Sequence, residues 1–122
     1  MLMKVFPHGT GEGDKPSRYL VRPDYPGRDT APPQVLRGDP AMTRALVDSI
    51  ERRWKFTSGV LSWHPDDKVS EEQEEEVMDA FEQVAFAGLE ADQRNILWVR
   101  HTHAGHHELH FLIPRLELSS GK

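Results

Sequence analysis

"NILWVRHTHAGHHELHFLIPRLEL", residues 95–118, sets two apolar-rich runs on either side of a polar, histidine-rich centre. The composition and alternation of each run are those of β-strands, and the stretch reads as a β-hairpin. A two-residue loop at Ala104 and Gly105 fixes the register by parity: His103 faces His106, Thr102 faces His107, His101 faces Glu108 and Val99 faces His110. Side chains alternate across a strand, so His101, His103, His106, Glu108 and His110 are expected on one side of the pair. Trp98, Leu109 and Phe111 fall on the other. One face therefore belongs to a core and the other gathers a polar site.

Imidazoles and a carboxylate converging from adjacent strands are a ligand set that Zn, Mn or Ni accepts. His103, His106 and His107 flank the turn, where polar residues are ordinary. His101 and His110 lie deeper, between Val99 and Leu112, where an unpartnered polar group is costly. "HELH" is not the metalloprotease motif, which needs two histidines four apart on a helix, whereas these stand three apart on a strand.

Working backwards along the chain, "SEEQEEEVMDAFEQVAFAGL" predicts a helix. Ser70 caps it, acids fill its first turn, Val77, Met78, Phe81, Val84 and Ala85 form the apolar stripe, and Gly88 ends it. Its acidic run reads as a solvated face. "WKFTSGVLSW" reads as a strand whose Gly59 marks a bulge or a close backbone approach. "GDPAMTRALVDSIERR" predicts a second helix, with Asp39 as N-cap, Pro40 at the first position, and Met42, Leu46, Val47 and Ile50 on its inner face. "QVL" and "MLMKVF" are further short strands. "SRYLVRPDY" is a helical turn or an extended piece between loops. Strands interleaved with two helices predict an α+β fold, a two-layer sandwich with a largely antiparallel sheet of about five strands and helices on one face.

With 122 residues, no cysteine and no apolar run of membrane-spanning length, the chain is expected to be one soluble domain without membrane insertion. "MLMKVF" lacks a signal-peptide core, and a cytoplasmic location is the expectation. The net charge of −5 conceals an asymmetry: residues 1–60 carry 10 Lys/Arg against 7 Asp/Glu, whereas residues 61–122 carry 5 against 13. A nucleic-acid surface in the basic half stays compatible with the acidic total. Gly9, Gly11 and Gly13 are not followed by the Lys-Ser or Lys-Thr pair of a phosphate-binding loop.

Through "KPSRYLV", "QVLRGDP", "FTSGVLSW", "VMDAFEQV", "AGLEADQRNILWVRH" and "ELHFLIPRLELSSGK", the chain resembles the mobilisation relaxases of the MobA/MbeA type from small colicinogenic plasmids, within the HUH endonuclease superfamily. The resemblance covers essentially the whole chain. It implies one relaxase domain over residues 1–122, truncated at its C-terminal side relative to family members that continue with further helices. It also implies an enzyme that nicks one strand of plasmid DNA at a transfer origin, forms a 5′-phosphotyrosine, and religates the strand during conjugative mobilisation. Single-stranded origin DNA and the accessory mobilisation proteins of a relaxosome are the implied partners.

The family's nucleophile falls on Tyr19. Its metal signature, histidine on one strand with glutamate and asparagine two apart on the next, falls on His101, Glu108 and His110, so histidine replaces the asparagine. One divalent ion, Mn, Mg, Ni or Zn, is the implied cofactor, and imidazole at position 110 favours transition metals over harder ions. A tyrosine hydroxyl with a pKa of about 10 needs activation by nearby charge, which such an ion provides. Lys15, Arg18 and Arg22 are candidate DNA contacts, with Arg37, Arg52, Arg53 and Lys55 as further phosphate-binding cations and Trp54, Phe56 and Trp63 as stacking platforms. Two other activities suit the same residues. One is a hydrolytic metallonuclease using water in place of Tyr19, and the other is a DNA-binding remnant that does not cleave.

Overall fold

The computed structural model describes residues 1–6, 9, 32–51, 53–89, 93–102 and 106–115. In chain order the elements are β1 (Leu2–Val5), β2 (Gln34–Arg37), α1 (Pro40–Asp48), β3 (Phe56–Ser62), α2 (Glu71–Ala85), β4 (Leu97–His101) and β5 (Glu108–Pro114). The strands form one five-stranded sheet in the order β1-β3-β5-β4-β2, with every neighbouring pair antiparallel. The expected α+β architecture is present. Its two longest strands, β3 and β5, lie side by side.

The hairpin register follows the parity argument: Trp98 pairs with Phe111, Val99 with His110, and His101 with Glu108. The pairing continues outward, with Val60 opposite His110 and Ser62 opposite Glu108 on β3. Directly paired residues share a face, so the two sides of the sheet can be assigned strand by strand. Leu61, Trp98, Leu109 and Phe111 pack with Met78 of α2 and with Phe86 and Ile96. Phe81 completes an aromatic cluster, with ring centroids 5.3 Å from Trp98 and 4.4 Å from Phe111. The opposite side holds a smaller apolar group, Leu97, Val99 and Leu112, with Phe56 against it.

Gly59 lies opposite Phe111, and a Cβ there would come within 2.5 Å of the Phe111 ring and of the Lys4 carbonyl oxygen. Close approach, not a bulge, is the reason for glycine in β3. Gly38 has φ +87 and its Cβ position meets the Ile96 carbonyl, so the turn from β2 into α1 demands glycine twice over.

α1 begins as expected, with Pro40 at its first turn and the Asp39 carboxylate accepting from the Ala41 amide at 3.0 Å. Its inner face differs from the apolar stripe read in the sequence. Thr43, Val47 and Ile50 are buried while Met42 is exposed. Thr43 turns inward because its hydroxyl meets the Asn95 side-chain oxygen at 2.7 Å, which leaves Met42, one residue earlier, facing solvent.

α2 carries a capping box in which Ser70 accepts from the Gln73 amide and Gln73 accepts in return from the Ser70 amide. The stripe again shifts near the C-terminus: Val84 and Ala85 are exposed, and Phe86 at the C-cap takes the core position. The acidic face also departs from a purely solvated one. Arg37 of β2 reaches Glu75 at 2.5 Å, Asp79 at 2.7 Å and Glu82 at 2.5 Å, tying α2 to the sheet edge. Burial alone would lower the Arg37 pKa, but the three carboxylates outweigh it and raise it above the ordinary guanidinium value. Among the described residues, no helix is long and apolar enough to cross a membrane.

Candidate metal centre

The ligand side of the hairpin is built by alternation. β4 ends on His101 and β5 begins on Glu108, directly opposite each other, with His110 two residues further along the same face. His101 is buried, at 2% exposure, while Glu108 and His110 are half-buried. The Val99 side chain, fully buried next to His110, closes the apolar end of the site.

The His101 and His110 rings stand 4.2 Å apart between centroids, tilted by 37°. His110 Nε2 lies 3.1 Å from Glu108 Oε1, and His106 Nε2 lies 3.0 Å from Glu108 Oε2. Each oxygen of the carboxylate therefore has its own imidazole. Burial pushes the Glu108 carboxyl up, but hydrogen bonds and charge from His110, then from His106, outweigh it and hold it below the usual carboxylate range. The group is an anion well above acidic pH and attracts positive charge.

One donor atom from each of His101, Glu108 and His110 lies within 4.8 Å of the others. Ligands of a shared ion stand roughly 4 Å apart or less, so a small side-chain adjustment brings all three to one centre. Two imidazoles and one carboxylate, with Glu108 and His110 only partly buried, fit a divalent transition-metal ion.

The hairpin histidines separate by side of the sheet. His106 joins the ligand side through Glu108, as parity expects. His107 points the other way and meets Glu74 of α2 at 2.5 Å. Glu74 is 2% exposed, and Arg100 donates to it through Nε at 2.7 Å and through a second nitrogen. Burial alone would raise the Glu74 carboxyl, but hydrogen bonds from Arg100 and His107 outweigh it and keep it depressed. Glu74 was hidden in the acidic run. The signal for it is its spacing: it stands four residues before Met78, on the line of the apolar stripe.

Tyr19, Lys15, Arg18 and Arg22 lie outside the described residues, as do His103 and Arg52. Of the other cations suggested as phosphate contacts, Arg37 is committed to the α2 carboxylates. The Arg53 guanidinium sits over the ring of Trp54, which is 43% exposed and accessible for stacking. Phe56 and Trp63 pack against the two apolar clusters instead.

The sequence is similar to known proteins over its full length. It is 43% identical over all 122 residues to cryptic plasmid protein C of Neisseria gonorrhoeae, of which it covers 58%. It is 39% identical over the same 122 residues to the DNA relaxase MbeA of Escherichia coli, of which it covers 23%. The chain thus spans a little over half of one relative and about a quarter of the other. No solved structure matches it. The family model of the relaxase nuclease domain, MobA/VirD2-like, matches residues 39–122, a stretch that contains the whole His101, Glu108 and His110 group, and the chain belongs to that family.

Proposed function

We propose that the chain is the nicking domain of a plasmid mobilisation relaxase, which cleaves one strand of DNA at a transfer origin through Tyr19 and a divalent ion and later rejoins it. The observation that carries this reading is the convergence of His101, Glu108 and His110 on one face of the β4–β5 pair, inside the stretch matched by the family. When bound by these three residues, a divalent ion supplies a Lewis acid that offsets charge developing on a phosphate oxygen.

The chain's own residues set up the rest. His101, buried beside the apolar wall of Val99, is fixed in orientation by its surroundings and pre-organises the site. His106 and His110 hold the two oxygens of Glu108, so the carboxylate is oriented before any ligand arrives. Tyr19 gives its hydroxyl proton to water and attacks phosphorus through the phenolic oxygen, the bond to the 3′ oxygen of the preceding nucleotide breaks, and the leaving 3′ oxygen takes a proton from water. The phosphotyrosine keeps the energy of the broken phosphodiester, so attack by a 3′ hydroxyl reverses the step without a nucleotide cofactor. Phosphoryl transfer depends mostly on positioning and charge stabilisation, which suits a small preformed site. Lys15, Arg18 and Arg22, close to Tyr19 in sequence, are the proposed contacts to the flanking phosphates, and accessory mobilisation proteins are the proposed partners at the origin.

The test is cleavage of DNA from the replicon that encodes the chain, supplied as single strands with Mn, Mg, Ni or Zn. Nicking is expected with at least one ion, and removal of the ion with EDTA should abolish it. Strand cutting that continues at full rate in EDTA sinks the metal-dependent reading.

A further inference from the structure

The pleat of β4 and β5 puts the residues next to the candidate ligands on the opposite side of the sheet. Arg100 precedes His101 and His107 precedes Glu108, and both reach one carboxylate, Glu74 of α2. We infer that Glu74 is a positioning residue for the metal centre, a clamp that acts from the back of the sheet and sets the spacing between His101 and Glu108. The inference rests on the reading of that centre given above.

Its geometry follows from where the ladder stops. Among the described residues His101 and Glu108 are the last β4–β5 pair, and of the two only Glu108 has a further strand partner, Ser62 of β3. Glu74 ties this end of the ladder together from behind by holding Arg100 on one strand and His107, next to Glu108, on the other. Arg100 is held further by Gln34 of β2. His107 packs perpendicular to the Trp63 ring, 5.4 Å between centroids, and its carbonyl accepts from the Trp63 amide at 3.0 Å. The peptides leading into His101 and Glu108 are thereby pinned from behind.

A carboxylate at 2% exposure is an expensive way to fasten a helix that already buries Met78 and Phe86. The Arg37 cluster shows that an exposed ion network already ties the same helix to the sheet. What the buried carboxylate adds is contact with two strands at once, immediately behind both candidate ligands. Groups that orient metal ligands without touching the ion typically change its affinity by about 10- to 100-fold.

The experiment compares Glu74→Gln, His107→Leu and the control Arg37→Gln in the full chain. Co(II) binding is read by its visible absorption, and amide hydrogen exchange across residues 100–108 is read without metal. Glu74→Gln should weaken Co(II) binding by about tenfold and speed exchange at Arg100, His101 and Glu108 by a similar factor. His107→Leu keeps the Arg100–Glu74 pair, remains folded if Glu74→Gln does not, and should loosen Glu108 but leave His101 protected. Arg37→Gln should leave both readouts within about twofold even where it lowers Tm. Equal losses in the Arg37 and Glu74 variants, or unchanged Co(II) affinity and exchange in Glu74→Gln, would overturn the clamp. If the wild-type chain takes up no Co(II), the metal reading fails, while exchange still decides the clamp.

Discussion

At the scale of single residues, position 110 carries the chain's own signature. The asparagine implied there by the relaxase resemblance is His110, 3.1 Å from Glu108 and stacked near His101. Replacing an amide oxygen by an imidazole changes which ion is preferred more than whether an ion binds. His110→Asn should therefore weaken Ni, Co and Zn by about tenfold or more while Mn or Mg binding changes little, read by isothermal titration with each ion. A uniform loss across all ions would show that position 110 serves the fold of the site and not its selectivity. His106 acts differently. It reaches Glu108 but does not join the set of converging donors, so His106→Ala should cost less metal affinity than His101→Ala or His110→Ala in the same titration.

Residues of this kind were partly legible in the sequence. Parity in a two-residue hairpin separates His101, Glu108 and His110 from His107 without any coordinates, because a strand offers its side chains only two directions. The partner of His107 was not legible, since Glu74 sits among acids of identical chemistry and only tertiary contact distinguishes it. Met42 and Thr43 illustrate the same limit: apolarity favours Met42 for the core, yet one hydrogen bond to Asn95 decides for Thr43.

At the scale of elements, α2 is specified at its start and ambiguous at its end. Ser70 and Gln73 close a reciprocal cap, so the helix begins where the sequence says it should. Ser70→Ala should lower stability by about 1 kcal/mol in urea unfolding, with no change in the slope of the transition. At the other end the last helical residue is Ala85, three residues before the expected stop at Gly88, and Val84 within the helix faces solvent. Phe86 enters the core from the cap instead. The β4–β5 hairpin was the most readable element because its turn residues, alternation and length agree with one another.

At the scale of the whole molecule, the sheet separates two chemistries. One face packs α2 and fastens it with ion pairs, and the other carries a small apolar floor with the polar group at its rim. The separation has a pH signature. The Glu74 carboxyl is depressed in the folded chain relative to the ordinary value of 4.5, so between the two values the unfolded chain binds more protons and stability rises with pH. Its contribution is complete above about pH 4.5 and is lost as pH falls through the folded value. Glu74→Gln should accordingly lower stability at neutral pH and flatten its decline on acidification, measured as Tm between pH 7 and pH 3; an acid limb identical to the wild type's would contradict that assignment.

Trapping the covalent intermediate asks whether Tyr19 works with the centre on the β4–β5 pair. DNA from the encoding replicon, labelled as single strands, is incubated with the chain and a divalent ion, denatured, digested with protease, and the attached residue mapped by mass spectrometry. A covalent adduct on Tyr19 is expected, and it should disappear in Tyr19→Phe and in His101→Ala. Cleavage that persists in Tyr19→Phe without any adduct, or an adduct that maps to another residue, would contradict it.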